Sequence, residues 1–495
     1  MNLFAVKPLE SILAQSGDAE HSLKRTLGPF SLVALGIGAV IGAGIFTLTG
    51  QAAGDHAGPA IVISFIIAAV GCGFAGLCYS EFATMIPIAG SAYTYAYATM
   101  GELMAWIIGW DLVMEYAIGA ATVSVGWSGH VLDLMNRFGV AIPPRLAASP
   151  FEMVKLADGT SVHGIANIPA LIIIIVISFI LVGGIQESAT VNSIIVVLKV
   201  SVVVFFILIG WAYMNPANHT PFIPANTGTW GHFGWSGILR GSGVIFFAYI
   251  GFDAVSTAAQ EAKTPKRDMP IGIIGSLLIC TLLFVLYSYV LTGVVNYKDF
   301  MDPRYHAAPI TAALARMPYP ILSIAMDMAI IAGLTSVMLV MLLGQSRVFY
   351  SMSRDGLLPP VFSDIHPKFR TPWRSNLLMM CFVGVFSALV PISILGEMTS
   401  IGTLFAFVIV CIGIMVLRRT RPDVPRAFKT PLVPLVPILG ILFNFLMIFS
   451  LGVDNWLRLF VWLAIGLAIY FGYSRYHSNL AAALSRPEKT PSLGD

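Results

Sequence analysis

The chain alternates between long apolar segments and short polar connections. A helix that crosses a bilayer needs about 20 mainly apolar residues, and twelve segments meet or approach that requirement. The pattern predicts an all-α integral membrane protein with 12 transmembrane helices. The predicted spans, numbered 1 to 12 in chain order, are 30–53, 59–83, 98–127, 167–185, 190–213, 236–261, 271–295, 320–349, 376–393, 396–417, 432–452 and 456–474.

The composition agrees with this pattern. Of the 495 residues, 57% are hydrophobic and 11% are charged, and the mean hydropathy is +0.83. A soluble domain carries about 25% charged residues, and no polar stretch is long enough to form one. The five cysteines fall in apolar segments without paired spacing, which predicts neither a disulfide framework nor a zinc site.

The basic residues are distributed unequally between the two sides of the predicted membrane. Cytoplasmic connections carry an excess of Lys and Arg, and most of the 28 basic residues lie on the side of the N-terminus, notably in 263–267, 347–374 and 418–429. We therefore predict a plasma membrane protein with cytoplasmic tails at 1–29 and 475–495. No basic stripe carries interleaved aromatic residues, so nucleic acid is not an expected partner.

Two predicted spans contain an internal interruption. Span 1 contains GIGAVIGAGIF at 36–46, and span 6 contains FFAYIGFD at 246–253. Gly-interrupted spans at corresponding positions of two inverted halves indicate the binding site of a transporter. The predicted units are a five-helix repeat at 30–213, a second inverted five-helix repeat at 236–417, and two additional C-terminal helices at 432–474.

The glycines of span 1 need a physical reason, because Gly costs about 1 kcal/mol relative to Ala inside a helix. Gly38 and Gly42 form a GxxxG pair that favours close helix packing. A dinucleotide-binding fingerprint is excluded, because it would need glycine where Ile41 stands and a βαβ unit around it. The third interpretation is a helix break, which is tolerated only beside protein or a cavity. Backbone N–H groups at such a break suit a carboxylate, and freed carbonyls suit an amine. The two together match an α-amino acid.

Three motifs carry a resemblance to a known family: GIGAVIGAGIF, FFAYIGFDAVSTAAQEAKTPKRDMPIGI at 246–273, and GQSRVFYSMSRDGLLP at 344–359. The chain resembles the amino acid–polyamine–organocation superfamily, in the bacterial branch near the cationic amino acid transporters and the branched-chain amino acid permeases. The resemblance covers about residues 20–475. It implies a five-plus-five inverted repeat of the LeuT type, with spans 1 and 6 unwound and substrate bound between them.

The resemblance also implies roles for individual residues. Backbone groups of the span 6 break would bind the amine, and Phe247 would also be a gate. Relatives often have GTGIF where this chain has Ala43, so the carboxylate is expected to depend more on backbone N–H groups. The residues implied for the carboxylate are Val40, Ile41, Gly42, Ala43 and Gly44, and those for the amine are Phe247, Ala248 and Ile250.

Charged residues inside spans are costly, by about 2.5–3.5 kcal/mol at a helix centre. Lys199, Glu115 and Asp253 are candidates for proton coupling, because burial favours the neutral form of each side chain. A lysine in span 5 resembles the proton-coupled members of the superfamily. The structural alternatives are that Lys199 neutralises a carboxylate, or that Asp253 caps the second half of span 6. Asp111 is interpreted as structural.

Met341 in span 8 is the candidate for substrate specificity, because an apolar side chain there leaves no counter-charge for a cationic substrate. We therefore predict proton-coupled import of neutral L-amino acids (alanine or branched-chain) by alternating access. A cationic amino acid transporter, an exchanger not driven by protons and an amino acid sensor remain open. No catalytic constellation, metal site, cofactor motif or nucleotide-binding motif is present. The expected partners are a free amino acid, protons and the lipid bilayer, and a small membrane subunit is left open.

Overall fold

The computed structural model describes residues 3–8, 27–86, 91–156, 159–184, 189–259, 261–302, 305 and 308–485. Of the predicted tails at 1–29 and 475–495, residues 1–2, 9–26 and 486–495 fall outside these residues. The described residues are mainly helical, and their one sheet is an antiparallel hairpin in which Val154 faces Val162. Its strands are β1 (Met153–Lys155) and β2 (Ser161–His163).

The first half of the chain forms eight α-helices among the described residues. The region of predicted span 1 is divided, because a π-helical turn at Gly44–Leu48 and another at Ala53–Ala57 flank a short α-helix. A third π-helical turn at Met114–Ile118 joins two helices into one long rod. The α-helices are α1 (Pro29–Val40), α2 (Thr49–Ala52), α3 (Ile61–Met85), α4 (Ser91–Thr99), α5 (Glu102–Val113), α6 (Gly119–Arg137), α7 (Ile168–Val182) and α8 (Ala189–Gly210).

The second half begins with another divided helix, in which a 3₁₀ turn at Phe246–Tyr249 follows α9. The remaining α-helices are α9 (Gly234–Ile245), α10 (Ala254–Thr257), α11 (Pro265–Val294), α12 (Pro309–Leu314), α13 (Pro320–Arg354), α14 (Trp373–Leu389), α15 (Ile392–Thr420), α16 (Leu435–Ser450), α17 (Val453–Ile469), α18 (Arg475–His477) and α19 (Asn479–Ser485).

The apolar character of these helices establishes a multi-pass membrane protein. Among the described residues, 8 helical segments are long and apolar enough to cross a membrane, and α1, α7, α14 and α16 are shorter apolar helices. The 15 residues of α7 extend about 22 Å at 1.5 Å per residue. Large apolar side chains such as Phe205, Leu278 and Phe460 are exposed on the outer surface, as lipid-facing positions require.

Several predicted helix limits are wrong, and glycine or proline explains the difference. Gly101 adopts φ 94°, a conformation that L side chains rarely adopt, and it separates α4 from the helix of predicted span 3. Pro391 precedes α15, so that helix begins at Ile392 instead of 396. The preceding helix α14 ends at Leu389 instead of 393. Proline at a helix start has a fixed φ and needs no hydrogen-bond donor.

The core of the molecule surrounds the two divided helices. Helix α1 packs against α8 and α11, and α13 packs along α6. The 3₁₀ turn at Phe246–Tyr249 contacts the π-helical turn at Gly44–Leu48, so the divided regions of spans 1 and 6 lie side by side. This arrangement brings the two interruptions together in the centre of the protein.

Candidate functional site

The first interruption lies within the glycine-rich segment. The α-helix α1 ends at Val40, and Ile41 adopts φ −74° and ψ 99°, which is extended backbone. The amide of Ile41 still donates to the carbonyl oxygen of Ile37, and helical structure resumes at Gly44. The last carbonyls of α1 and the first amides of the following segment therefore lie at helix ends, where intrahelical partners are missing.

The second interruption follows the 3₁₀ turn that extends α9. Ile250 adopts φ −60° and ψ 134°, and Gly251 adopts φ 115°. The positive φ favours glycine, and so does the position, because an added Cβ at Gly251 would lie 2.9 Å from the carbonyl carbon and oxygen of Ala39. The end of α1 and the interruption of span 6 are thus in direct contact.

A small cavity lies between the two interruptions and α13. Its volume is about 10 Å³, which is about the space of one water molecule. A cavity of this size is too small to hold an amino acid. The cavity is apolar apart from one tyrosine, and it is lined by Ala39, Tyr116, Ile250, Gly251, Ala254, Val337, Val340 and Met341.

The residues implied for substrate binding take different positions around this cavity. Ile250 and Met341 lie in its wall. Gly42 lies behind the wall, since an added Cβ there would be 3.3 Å from a methyl group of Val337. Gly44 packs so closely that an added Cβ would overlap the Cα of Ala248.

The other implied residues are buried near the interruptions. Val40, Ile41 and Phe247 are buried, and Ala43 lies beside Gly126 of α6. None of them belongs to the described cavity wall. Their roles in binding the carboxylate, binding the amine and gating therefore stay predictions.

Lys199 lies at the C-terminal end of α1. Its ammonium group donates a 2.7 Å hydrogen bond to the carbonyl oxygen of Gly38, and the side chain is almost fully buried. Its aliphatic stem packs on Gly333 of α13, where an added Cβ would lie 2.9 Å from both Cγ and Cε. A cation at a helix C-terminus is favourable, because the last carbonyls carry the negative end of the helix dipole.

Glu115 and Asp253 lie beside each other in a second polar region. Both side chains are fully buried, and Glu115 also lies near Thr403 of α15. Asp253 is the residue before α10, and its carboxyl group lies near the backbone amide of Ala254 without a capping hydrogen bond from that helix. Asp111 faces Gly402, where an added Cβ would lie 3.1 Å from its Oδ1.

Two features of this region were missed by sequence reasoning. Glu115 lies within the π-helical turn Met114–Ile118, and such turns occur frequently at functional sites. Tyr79 lies near both carboxyl groups, and Tyr95 lies near Ser256 and Asp253. Hydrophobic periodicity does not reveal a single π-helical turn, and the tyrosines come from segments far apart in the sequence.

A sequence profile described as amino acid permease matches residues 27–471. The chain belongs to the amino acid permease family. It is therefore a transporter and not an enzyme, and it carries the multi-pass membrane architecture of an amino acid permease.

Three curated relatives are similar over most of the chain. The branched-chain amino acid permease BcaP of Bacillus subtilis (strain 168) is 44% identical over 97% of this chain and 99% of its own. The methylthioribose transporter of the same organism is 40% identical with the same coverage. The vacuolar cationic amino acid transporter 4 of Arabidopsis thaliana is 35% identical over 84% of this chain and 67% of its own.

Proposed function

We propose that this amino acid permease imports neutral L-amino acids, alanine or branched-chain, with protons by alternating access. The observation that carries the proposal is the cavity between two helix interruptions, where Ile250, Val337, Val340 and Met341 form an apolar wall. An apolar wall favours an uncharged side chain, because a buried cation without a counter-charge is costly. The similarity to a relative named branched-chain amino acid permease supports the same choice.

In this proposal the interruptions bind the part common to all amino acids. Backbone N–H groups of Val40 to Gly44 hold the carboxylate, and carbonyl groups of Phe247, Ala248 and Ile250 accept from the amine. Phe247 closes the pocket, and Met341 selects the side chain. The small cavity supports a contracted state that must open for substrate to enter.

The proposed architecture has 12 transmembrane helices in a plasma membrane. Repeats at 30–213 and 236–417 are related by inversion, and 432–474 forms two further helices. Both termini are cytoplasmic. The interrupted helices at equivalent places of the two halves support this arrangement, since that is where inverted-repeat transporters bind substrate.

Lys199, Glu115 and Asp253 are the proposed proton-coupling residues. Lys199 donates a hydrogen bond to the end of α1, so a change in its charge alters the interaction that holds α1 next to the interruption. Glu115 and Asp253 lie near each other at the span 6 interruption, where both side chains are fully buried and each can carry a proton. In this proposal Lys199 links a titratable group to span 1, and the Glu115–Asp253 pair links titratable groups to span 6.

The proposed function is tested by uptake into proteoliposomes. Radiolabelled alanine, leucine, isoleucine, arginine and lysine are supplied with an inward proton gradient, a sodium gradient or no gradient. The proposal expects accumulation of alanine or a branched-chain amino acid driven by protons alone. Counterflow without gradient-driven accumulation identifies an exchanger, and uptake of only arginine or lysine identifies the cationic alternative.

A second candidate substrate comes from the relative named methylthioribose transporter, which is 40% identical over nearly the whole chain. Methylthioribose therefore belongs in the same uptake panel. Its uptake without uptake of any amino acid would contradict the proposed substrate class and leave the family assignment intact.

A further inference from the structure

Two of the bulkiest side chains in the cavity wall pack against glycines on the helix opposite. Tyr116 belongs to the π-helical turn between α5 and α6, and its ring lies over Gly344 of α13. An added Cβ at Gly344 would lie 3.3 Å from Cε1 and 3.4 Å from Cδ1 of Tyr116. Such a contact would be tighter than ordinary van der Waals contact, so alanine at 344 requires the ring to shift by a few tenths of an ångström.

In the second contact the glycine lies on α6 and the large side chain lies on α13. Met341 belongs to α13, and its thioether lies over Gly119 at the start of α6. An added Cβ at Gly119 would lie 3.3 Å from Sδ and 3.4 Å from Cε of Met341. The spacing is the same on both helices, because 116 and 119 are three residues apart, as are 341 and 344. Residues three apart lie on one helix face.

We infer that Gly119 and Gly344 are positioning residues: Met341 packs on Gly119 and Tyr116 packs on Gly344. These contacts set the depth of the side-chain compartment, by which we mean the part of the cavity that holds the side chain of the substrate. The inference rests on the proposed function, since it concerns the same cavity. Neither glycine lines the cavity, whereas Tyr116 and Met341, which pack on them, both do. A methyl group on either glycine therefore pushes a wall side chain towards the cavity, which already measures only about 10 Å³.

The substrate consequence is a change in size selectivity. A smaller compartment excludes long side chains before short ones, and one methylene in an apolar pocket changes discrimination about tenfold or more. Replacement of either glycine by alanine is expected to reduce leucine and isoleucine uptake relative to alanine uptake by about tenfold. A general packing defect reduces uptake of all three equally.

The test measures competition of unlabelled alanine, valine, leucine and isoleucine against the labelled substrate in proteoliposomes. Gly119→Ala and Gly344→Ala are compared with wild type and with Gly73→Ala. Gly73 on α3 has no atom within 4 Å of an added Cβ, so Gly73→Ala is the matched control and keeps wild-type selectivity.

The decisive measurement asks whether Met341→Ala restores the leucine-to-alanine uptake ratio in one glycine variant and not in the other. Met341→Ala is expected to restore the leucine-to-alanine ratio in Gly119→Ala, because it removes the displaced thioether. It is not expected to restore the ratio in Gly344→Ala, whose displaced group is Tyr116. Unchanged selectivity in both glycine variants, or equal rescue of both by Met341→Ala, overturns the inference.

Two further results separate this inference from other failures. If wild type transports none of the four neutral amino acids, the proposed function fails before the glycines are tested. If one glycine variant does not reach the membrane, the other glycine variant carries the test. Unchanged selectivity in that variant contradicts the inference.

Discussion

Lys199→Met tests whether the cation at the end of α1 couples protons to transport. Methionine keeps an unbranched side chain of similar length and removes the ammonium group that lies 2.7 Å from the carbonyl oxygen of Gly38. A hydrogen bond from a charged group contributes about 1.5–3 kcal/mol, which corresponds to about a 10- to 150-fold change in an equilibrium constant. The loss falls on any state in which this hydrogen bond is formed.

The assay compares proton-driven accumulation with counterflow in proteoliposomes that contain equal amounts of protein. Accumulation by Lys199→Met is expected to fall at least about tenfold, while counterflow of the same amino acid persists. Counterflow needs only a binding site and alternating access, whereas accumulation needs a group that carries the proton. Thermal unfolding in detergent measures the separate structural contribution of the hydrogen bond.

Gly333→Ala is the matched variant, because it keeps the charge of Lys199 and displaces its stem. The added Cβ would lie 2.9 Å from Cγ and Cε of the lysine. Accumulation should fall in both variants if the position of the ammonium group matters. Full proton-driven accumulation in Lys199→Met refutes the coupling role, and a loss of stability alone leaves the lysine as a helix cap.

Further predictions concern three other polar contacts. Glu115→Gln is expected to change the pH dependence of uptake while binding of a neutral amino acid changes less than about threefold; pH profiles of uptake and equilibrium binding test this, and an unchanged pH profile contradicts it. Arg418→Met removes two hydrogen bonds to the buried carboxylate of Glu81, at 3.0 and 2.7 Å, while Arg426 remains 3.2 Å from that carboxylate; we expect the free energy of unfolding to fall by about 1.5–3 kcal/mol, and a loss below about 1 kcal/mol refutes it. Lys7→Ala removes a 2.8 Å salt bridge to Asp355; a loss of about 1 kcal/mol is expected, and Asp355→Asn should add little to it.

The sequence is sufficient to predict the helices but not all of their limits. Long apolar runs specify a helical membrane protein, because each run exceeds what a soluble core helix needs. The ends depend on single residues, and Gly101 and Pro391 move two of them by several residues. The hairpin β1–β2 lies in a polar segment between predicted spans, where hydrophobic periodicity carries no signal.

The site is predicted less completely than the fold, for a physical reason. Lys199, Glu115 and Asp253 are visible in the sequence because charge inside an apolar run is rare. Their neighbours are not visible, because tertiary packing determines them. Lys199 contacts Gly38, and Glu115 lies beside Asp253, so the structure separates the charged residues into two regions.

The glycines of span 1 show why two alternatives for one motif need not exclude each other. Close packing occurs at Gly36 and Gly44, where an added Cβ would overlap Ser276 and Ala248, and at Gly42 of the GxxxG pair, where an added Cβ would lie 3.3 Å from Val337. The break alternative applies between them, since α1 ends at Val40 and helical structure resumes at Gly44. A broken helix leaves backbone groups that lipid cannot satisfy, so neighbouring helices must approach closely enough to enclose them. Small residues on both sides of the break permit that approach, and the cavity left between the helices measures only about 10 Å³.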